Sequence, residues 1–187
     1  MSGHGIFVTI DGLAGAGKSV TTGGLRSKLV RLGYRVHTTA EPTQGRLGKI
    51  ARRSTEIYSG HALACLVAAD RYHHVLQRMD GVPVEFIEAL NSAAPPPDLA
   101  IFLLADPNVA ARRIARRGSH DRFQAGLATS TAEAEFYRDA ADRLADRWGK
   151  RPLLLDTTTT RTDELVAVIA MHVAALAGPP RHQSETA

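Results

Sequence analysis

At 187 residues, 44% of them hydrophobic and 22% charged, the chain can bury one substantial core but is short for two domains. No run approaches the ~18 consecutive apolar residues of a membrane span, no basic-then-apolar leader opens the chain, and a single cysteine, Cys65, excludes an internal disulfide and fits a reducing compartment, so the expected location is the cytoplasm. The net charge of +4 and pI near 9.6 suit any polyanion, but Lys and Arg form no long basic run with interleaved aromatics, which argues against nucleic acid.

Residues 6–11 (IFVTID) are β-branched and apolar up to an acid and predict a buried strand. A glycine-rich turn leads into residues 18–32, where Leu25, Leu29 and Leu32 recur at helical spacing and Gly33 supplies a stop. Gly23 and Gly24 weaken this helix, so packing must hold it. Residues 35–40 form a second strand candidate, ended by Glu41-Pro42. Helical patterns follow at 47–57, 61–79 and 83–90, before Pro95-Pro96-Pro97. Residues 99–104 (LAIFLL) predict a strand covered on both faces, and Asp106-Pro107 a cap and first turn for a helix through Arg117.

Residues 118–129 are polar and predict a loop. Ser130 and Glu133 have capping-box spacing for a helix containing Phe136, Leu144 and Trp148. Residues 152–156 predict a further strand, and Leu165, Val168, Ile169, Val173 and Leu176 line a last helix. The expected organisation is one domain over 1–178 with a disordered tail at 179–187. Alternating strands and helices imply an α/β fold, a doubly wound parallel sheet flanked by helices, with ligands beyond the carboxyl ends of the strands.

Residues 12–19 (GLAGAGKS) satisfy G-x-x-x-x-G-K-[ST] between a predicted strand and a predicted helix, the context that gives this P-loop motif its meaning. Gly15 and Gly17 let successive amides point at phosphate oxygens, and the helix start adds free N–H groups and a positive dipole end. Gly12, Leu13, Ala14, Gly15, Ala16, Gly17, Lys18, Ser19 and Val20 form the expected nucleotide-binding set. Lys18 would reach the β- and γ-phosphates of ATP, and the Ser19 hydroxyl would ligate Mg²⁺. Asp11, ending the strand, either faces the acceptor or a metal-bound water, or caps the loop backbone. His73 and His74 are adjacent, so on a helix they diverge by about 100° and suit no shared metal ion.

The chain resembles the thymidylate kinase family along most of its length. The landmarks are the P-loop, Thr39-Ala40-Glu41-Pro42, Ala68-Ala69-Asp70-Arg71, the 97–107 segment ending in Asp106-Pro107, and a lid region over about 113–130 that contains Asp121-Arg122-Phe123. The resemblance implies a P-loop NTPase-type fold and a phosphotransferase that moves the ATP γ-phosphoryl to thymidine monophosphate (dTMP) with Mg²⁺. It places Arg71 on the acceptor base and Glu41 near the acceptor phosphate. Lid arginines, Arg117 and Arg122 foremost among Arg113, Arg116, Arg117 and Arg122, would neutralise the transferring group. Family members are commonly homodimers. The plainer readings are an Arg71–Asp70 ion pair, Glu41 as a helix cap, and a solvated basic helix face.

The chain also departs from the family pattern. Between Tyr72 and Pro97 no apolar run ends in an acid, so the family's interior strand with its Asp-Arg-Tyr or Asp-Arg-His end has no counterpart. The strand candidates number one fewer than such a sheet holds, which suggests an internal deletion. Ala14 stands where the family carries an acid, and Ala40 and Val67 replace an arginine and a phenylalanine. These changes bear on the acceptor more than the donor. They leave three functions open: a thymidylate kinase, a nucleotide-binding homologue with impaired or lost catalysis, and a P-loop kinase for another small acceptor.

Overall fold

The computed structural model describes residues 5–40, 49–50, 53, 57, 61–62, 83, 85, 89, 96–117 and 126–180. Among these the chain forms β1 (Val8–Gly12), α1 (Lys18–Arg31), β2 (Leu99–Leu104), α2 (Pro107–Arg117), α3 (Gly126–Trp148), β3 (Leu153–Asp156) and α4 (Thr162–Ala177). The strands make one parallel sheet in the order β1-β2-β3, with Ile10 opposite Ile101 and Phe102 opposite Leu154. Helices flank this sheet, as the strand–helix alternation predicts. None of the described helices is long and apolar enough to cross a membrane.

The central strand sets the core. Ile101, Phe102 and Leu103 of β2 are buried, which explains why this strand is apolar at every position rather than alternating. Tyr137 of α3 meets Phe102 edge-on, with ring centroids 5.2 Å apart at 72°, a geometry that contributes about 0.5–1.5 kcal/mol beyond the area it buries. Leu25 and Leu29 of α1 join Ile169, Ala170 and Val173 of α4 in the same cluster. The paired glycines of α1 cost helix propensity, but Gly24 lets α4 approach: a Cβ there would lie 3.0 Å from Val166 Cγ2. Packing therefore offsets the weakness read from the sequence.

Asp106 caps α2 as expected, its Oδ1 accepting from the amides of Asn108 at 2.9 Å and Val109 at 3.1 Å. Asp106→Ala is expected to cost about 1 kcal/mol, measurable by urea denaturation with an unchanged m-value.

Two expectations are corrected. Residues 35–40 form no strand. A β-branched segment needs a ladder partner as well as propensity, and among the described residues β1 pairs with β2 alone. The segment is nevertheless attached: Tyr34 and Val36 pack against the core, and Tyr34 Oη donates to Gly178 O at 2.7 Å. Second, α3 begins at Gly126, so residues 126–129 are helical and Ser130 and Glu133 lie inside the helix instead of opening it. Both are buried, and packing against the sheet overrides the short-range capping signal. The helices expected at 47–57, 61–79 and 83–90 fall almost wholly outside the described residues, as do residues 118–125 and 181–187.

Candidate functional site

The site is built where β1 stops. Gly12, Gly15 and Gly17 take φ values of 148°, 80° and 89°, so the chain curls at the carboxyl edge of the sheet before α1 starts at Lys18. Leu13 is fully buried and anchors the loop in the core, while Gly17 at the far end of the loop is exposed. Ala16 N closes a tight turn onto Leu13 O at 3.1 Å. The Lys18 ammonium folds back over the loop, donating to Gly12 O and, at 3.2 Å, to Leu13 O. Ser19 is exposed in the first turn of α1, a turn without acidic residues, so nothing there offsets the positive end of the helix dipole. Asp11 is half-buried, opposite Phe102.

A second group of residues, from distant parts of the sequence, completes the mouth. Arg113 of α2 is half-buried. Its Nη2 donates to Thr157 O at 2.9 Å, and its Nη1 lies 3.4 Å from both Thr157 Oγ1 and Gly15 O. Thr157, just past β3, is buried, and its amide donates to Leu104 O at 2.7 Å. Arg113 thus joins the loop, the end of the sheet and α2. Beside it Thr158 donates through its hydroxyl and, at 2.7 Å, its amide to Asp156, which holds that carboxyl below the ordinary range, with the Arg113 charge adding to the effect. Between these parts lies a cavity of about 290 Å³, bordered by Gly17, Val20, Arg113, Thr157, Thr160 and Leu165.

The loop therefore gathers Asp11 through Val20 in one place. Arg117 is the last residue of α2, whereas Glu41, Arg71 and Arg122 lie outside the described residues. From its place after the last strand, the 157–160 segment allows a position near the adenine or a solvated loop; Thr157 is buried, and Thr157 and Thr160 both border the cavity. Two features escaped the sequence reading. Arg113 suggested a lid residue and is instead bonded to Thr157 and Gly15. Glu133 suggested a helix cap and instead reaches the loop, its Oε2 accepting from Ala14 N at 2.8 Å.

A family model described as thymidylate kinase matches residues 10–82. The probable thymidylate kinase of Caldivirga maquilingensis is 36% identical over 149 aligned residues, covering 64% of this chain and 72% of that protein. The chain belongs to the thymidylate kinase family. The probable thymidylate kinases of Pyrobaculum aerophilum and Pyrococcus horikoshii are each 31% identical, over 146 and 153 aligned residues, covering 63% and 64% of this chain and 74% and 75% of theirs. Membership of this phosphotransferase family supports a nucleotide kinase function, consistent with a glycine-rich loop and a lysine at the carboxyl edge of a parallel sheet.

The residues present suit the magnesium nucleotide that such a kinase uses. Mg²⁺ dehydrates reluctantly and is held by few protein oxygens together with substrate phosphates, rather than by an all-protein cage. The donor set fits: the Ser19 hydroxyl is exposed in the helical turn that begins at Lys18.

Proposed function

We propose that this thymidylate kinase family member transfers the γ-phosphoryl group of ATP to dTMP, giving thymidine diphosphate, and that it works in the cytoplasm as a homodimer without nucleic-acid partners. The observation that carries the reading is the loop at residues 12–19, with the Lys18 ammonium held over its own carbonyls beside an open cavity. In this reading Lys18 leaves Gly12 O and Leu13 O for the phosphates. The amides of Gly15, Gly17 and Ser19 cradle the polyphosphate. The cavity between Arg113 and Thr160 takes the base and ribose of ATP. Ser19 Oγ holds Mg²⁺, which supplies charge neutralisation along the triphosphate. Asp11, Glu41 and Arg71 face the acceptor, and Arg117 and Arg122 stabilise charge on the group in flight. Such catalysis is positioning and electrostatics more than covalent chemistry.

A second reading, a nucleotide-binding homologue with impaired transfer, has support of its own. The Caldivirga alignment spans 149 positions, yet 64% of this 187-residue chain supplies only about 120 of them. We infer that the relative carries residues with no counterpart in this chain. We infer that the gap falls after Arg71, where the interior strand and its acceptor-phosphate arginine are expected, and the absence of strand pairing by residues 35–40 fits such a loss.

A coupled assay for ADP release, run with a panel of nucleoside monophosphates, separates the readings. The expected result is turnover that requires dTMP. Mg·ATP binding with no acceptor-dependent turnover would select the impaired homologue, and turnover with a different acceptor would select another small-molecule kinase.

A further inference from the structure

Glu133 sits in a buried stripe along α3 with Ser130, Ala134, Tyr137 and Ala141, and is itself only 3% exposed. The helical repeat puts these residues on one face, and Tyr137 shows that this face is turned to β2. A carboxylate there is costly, because desolvating it takes several kcal/mol unless hydrogen bonds compensate. Packing alone would favour an alanine or leucine at this position. Glu133 instead reaches across 119 residues of sequence to accept from the amide of Ala14, at 2.8 Å.

That contact falls at a telling place. Ala14 lies between Leu13, whose side chain is locked in the core, and Gly15, whose carbonyl is approached by Arg113. Two consecutive loop residues are thus braced from outside, one by a carboxylate on α3 and the next by a guanidinium on α2. We propose that Glu133 is a positioning residue for nucleotide binding. By holding the Ala14 amide it turns that donor away from the phosphate cradle and presets the loop before polyphosphate arrives. Preorganisation of this kind raises affinity by reducing the ordering cost of binding. The proposal rests on the reading that this loop binds Mg·ATP.

Reach and charge can be separated. Glu133→Gln keeps an acceptor oxygen at the same distance without the charge. Glu133→Asp keeps the charge but is one methylene too short. Mg·ATP titrated calorimetrically into each folded variant is expected to bind the Gln variant within about threefold of the parent and the Asp variant roughly tenfold more weakly, equivalent to about 1.4 kcal/mol. A residue that only filled the core would lower the melting temperature of both variants and leave the affinity of the folded protein unchanged, and that outcome overturns the proposal. So does a Gln variant weaker than the Asp variant, which would make charge the operative property. Should the Asp variant not fold, amide hydrogen exchange at Ala14 in the Gln variant decides. Protection and affinity both kept support the brace, and loss of either, or of both, overturns it. A parent protein indifferent to Mg·ATP would instead defeat the reading of the loop itself.

Discussion

Lys18→Ala is expected to weaken Mg·ATP binding by at least about a hundredfold, equivalent to about 2.7 kcal/mol, while leaving the unliganded fold nearly as stable as before. Two features of the site set this asymmetry. Without ligand the ammonium is satisfied by Gly12 O and Leu13 O, and the side chain is only half-buried. Water can therefore replace it on those carbonyls at little cost. Toward a triphosphate the same group is a charge-assisted donor, and hydrogen bonds to charged groups contribute about 1.5–3 kcal/mol each. The P-loop amides that remain cannot compensate, because they are dipoles where the lysine is a full charge. The check is a thermal melt with and without Mg·ATP. Ligand at a hundred times its dissociation constant stabilises the parent by about 2.7 kcal/mol, a rise of roughly 5–10 °C for a domain of this size. The variant should start within a few degrees of the parent and show no such rise. An undiminished shift in the variant would remove the loop from the nucleotide site.

What the sequence could reveal was set by how local each cause is. The six apolar residues of β2 and the Asp106-Pro107 start of α2 carry their own signals, and the strand at Leu99–Leu104 falls where the run predicts it. The P-loop is legible for the same reason: its glycines, lysine and serine all fall within eight consecutive positions. Residues 35–40 have the composition of a strand, but a strand exists only with a neighbour to bond, and nothing in those six residues says whether that neighbour is present. Glu133 is the sharper case. Its spacing from Ser130 imitates a cap, and only the docking of Tyr137 against Phe102 turns the carboxylate toward Ala14. Arg113 and Thr157, 44 residues apart, were ordinary surface types until the sheet brought their elements together. The loop was thus legible and its outer braces were not, because the braces depend on tertiary docking that leaves no periodic trace.

The largest expected effect on stability comes from the first glycine of the loop. Gly12 ends β1 opposite Leu103 of β2, with φ at 148°. A Cβ placed there would run into the Leu103 carbonyl oxygen and lie 3.0 Å from both Leu103 C and Leu103 Cβ. The obstacle is the backbone of the central strand, not the end of a flexible side chain, so relief requires β1 and β2 to part. Gly12→Ala then combines backbone strain of about 1–3 kcal/mol with overpacking of about 1–3 kcal/mol, against a total stability of ~5–15 kcal/mol. A fall in melting temperature on the order of 10 °C is expected. Gly23→Ala provides the opposite case within the same loop–helix unit. Gly23 is an exposed residue of α1 with nothing within 4 Å of an added Cβ, so alanine there should raise stability by about 0.5–1 kcal/mol through helix propensity. If denaturation ranked Gly12→Ala at or above Gly23→Ala, the close approach of β1 to β2 at Leu103 would be wrong. Since Gly12 O is also an acceptor for Lys18, parting the strands would displace the ammonium too, and Gly12→Ala should lose Mg·ATP affinity together with stability.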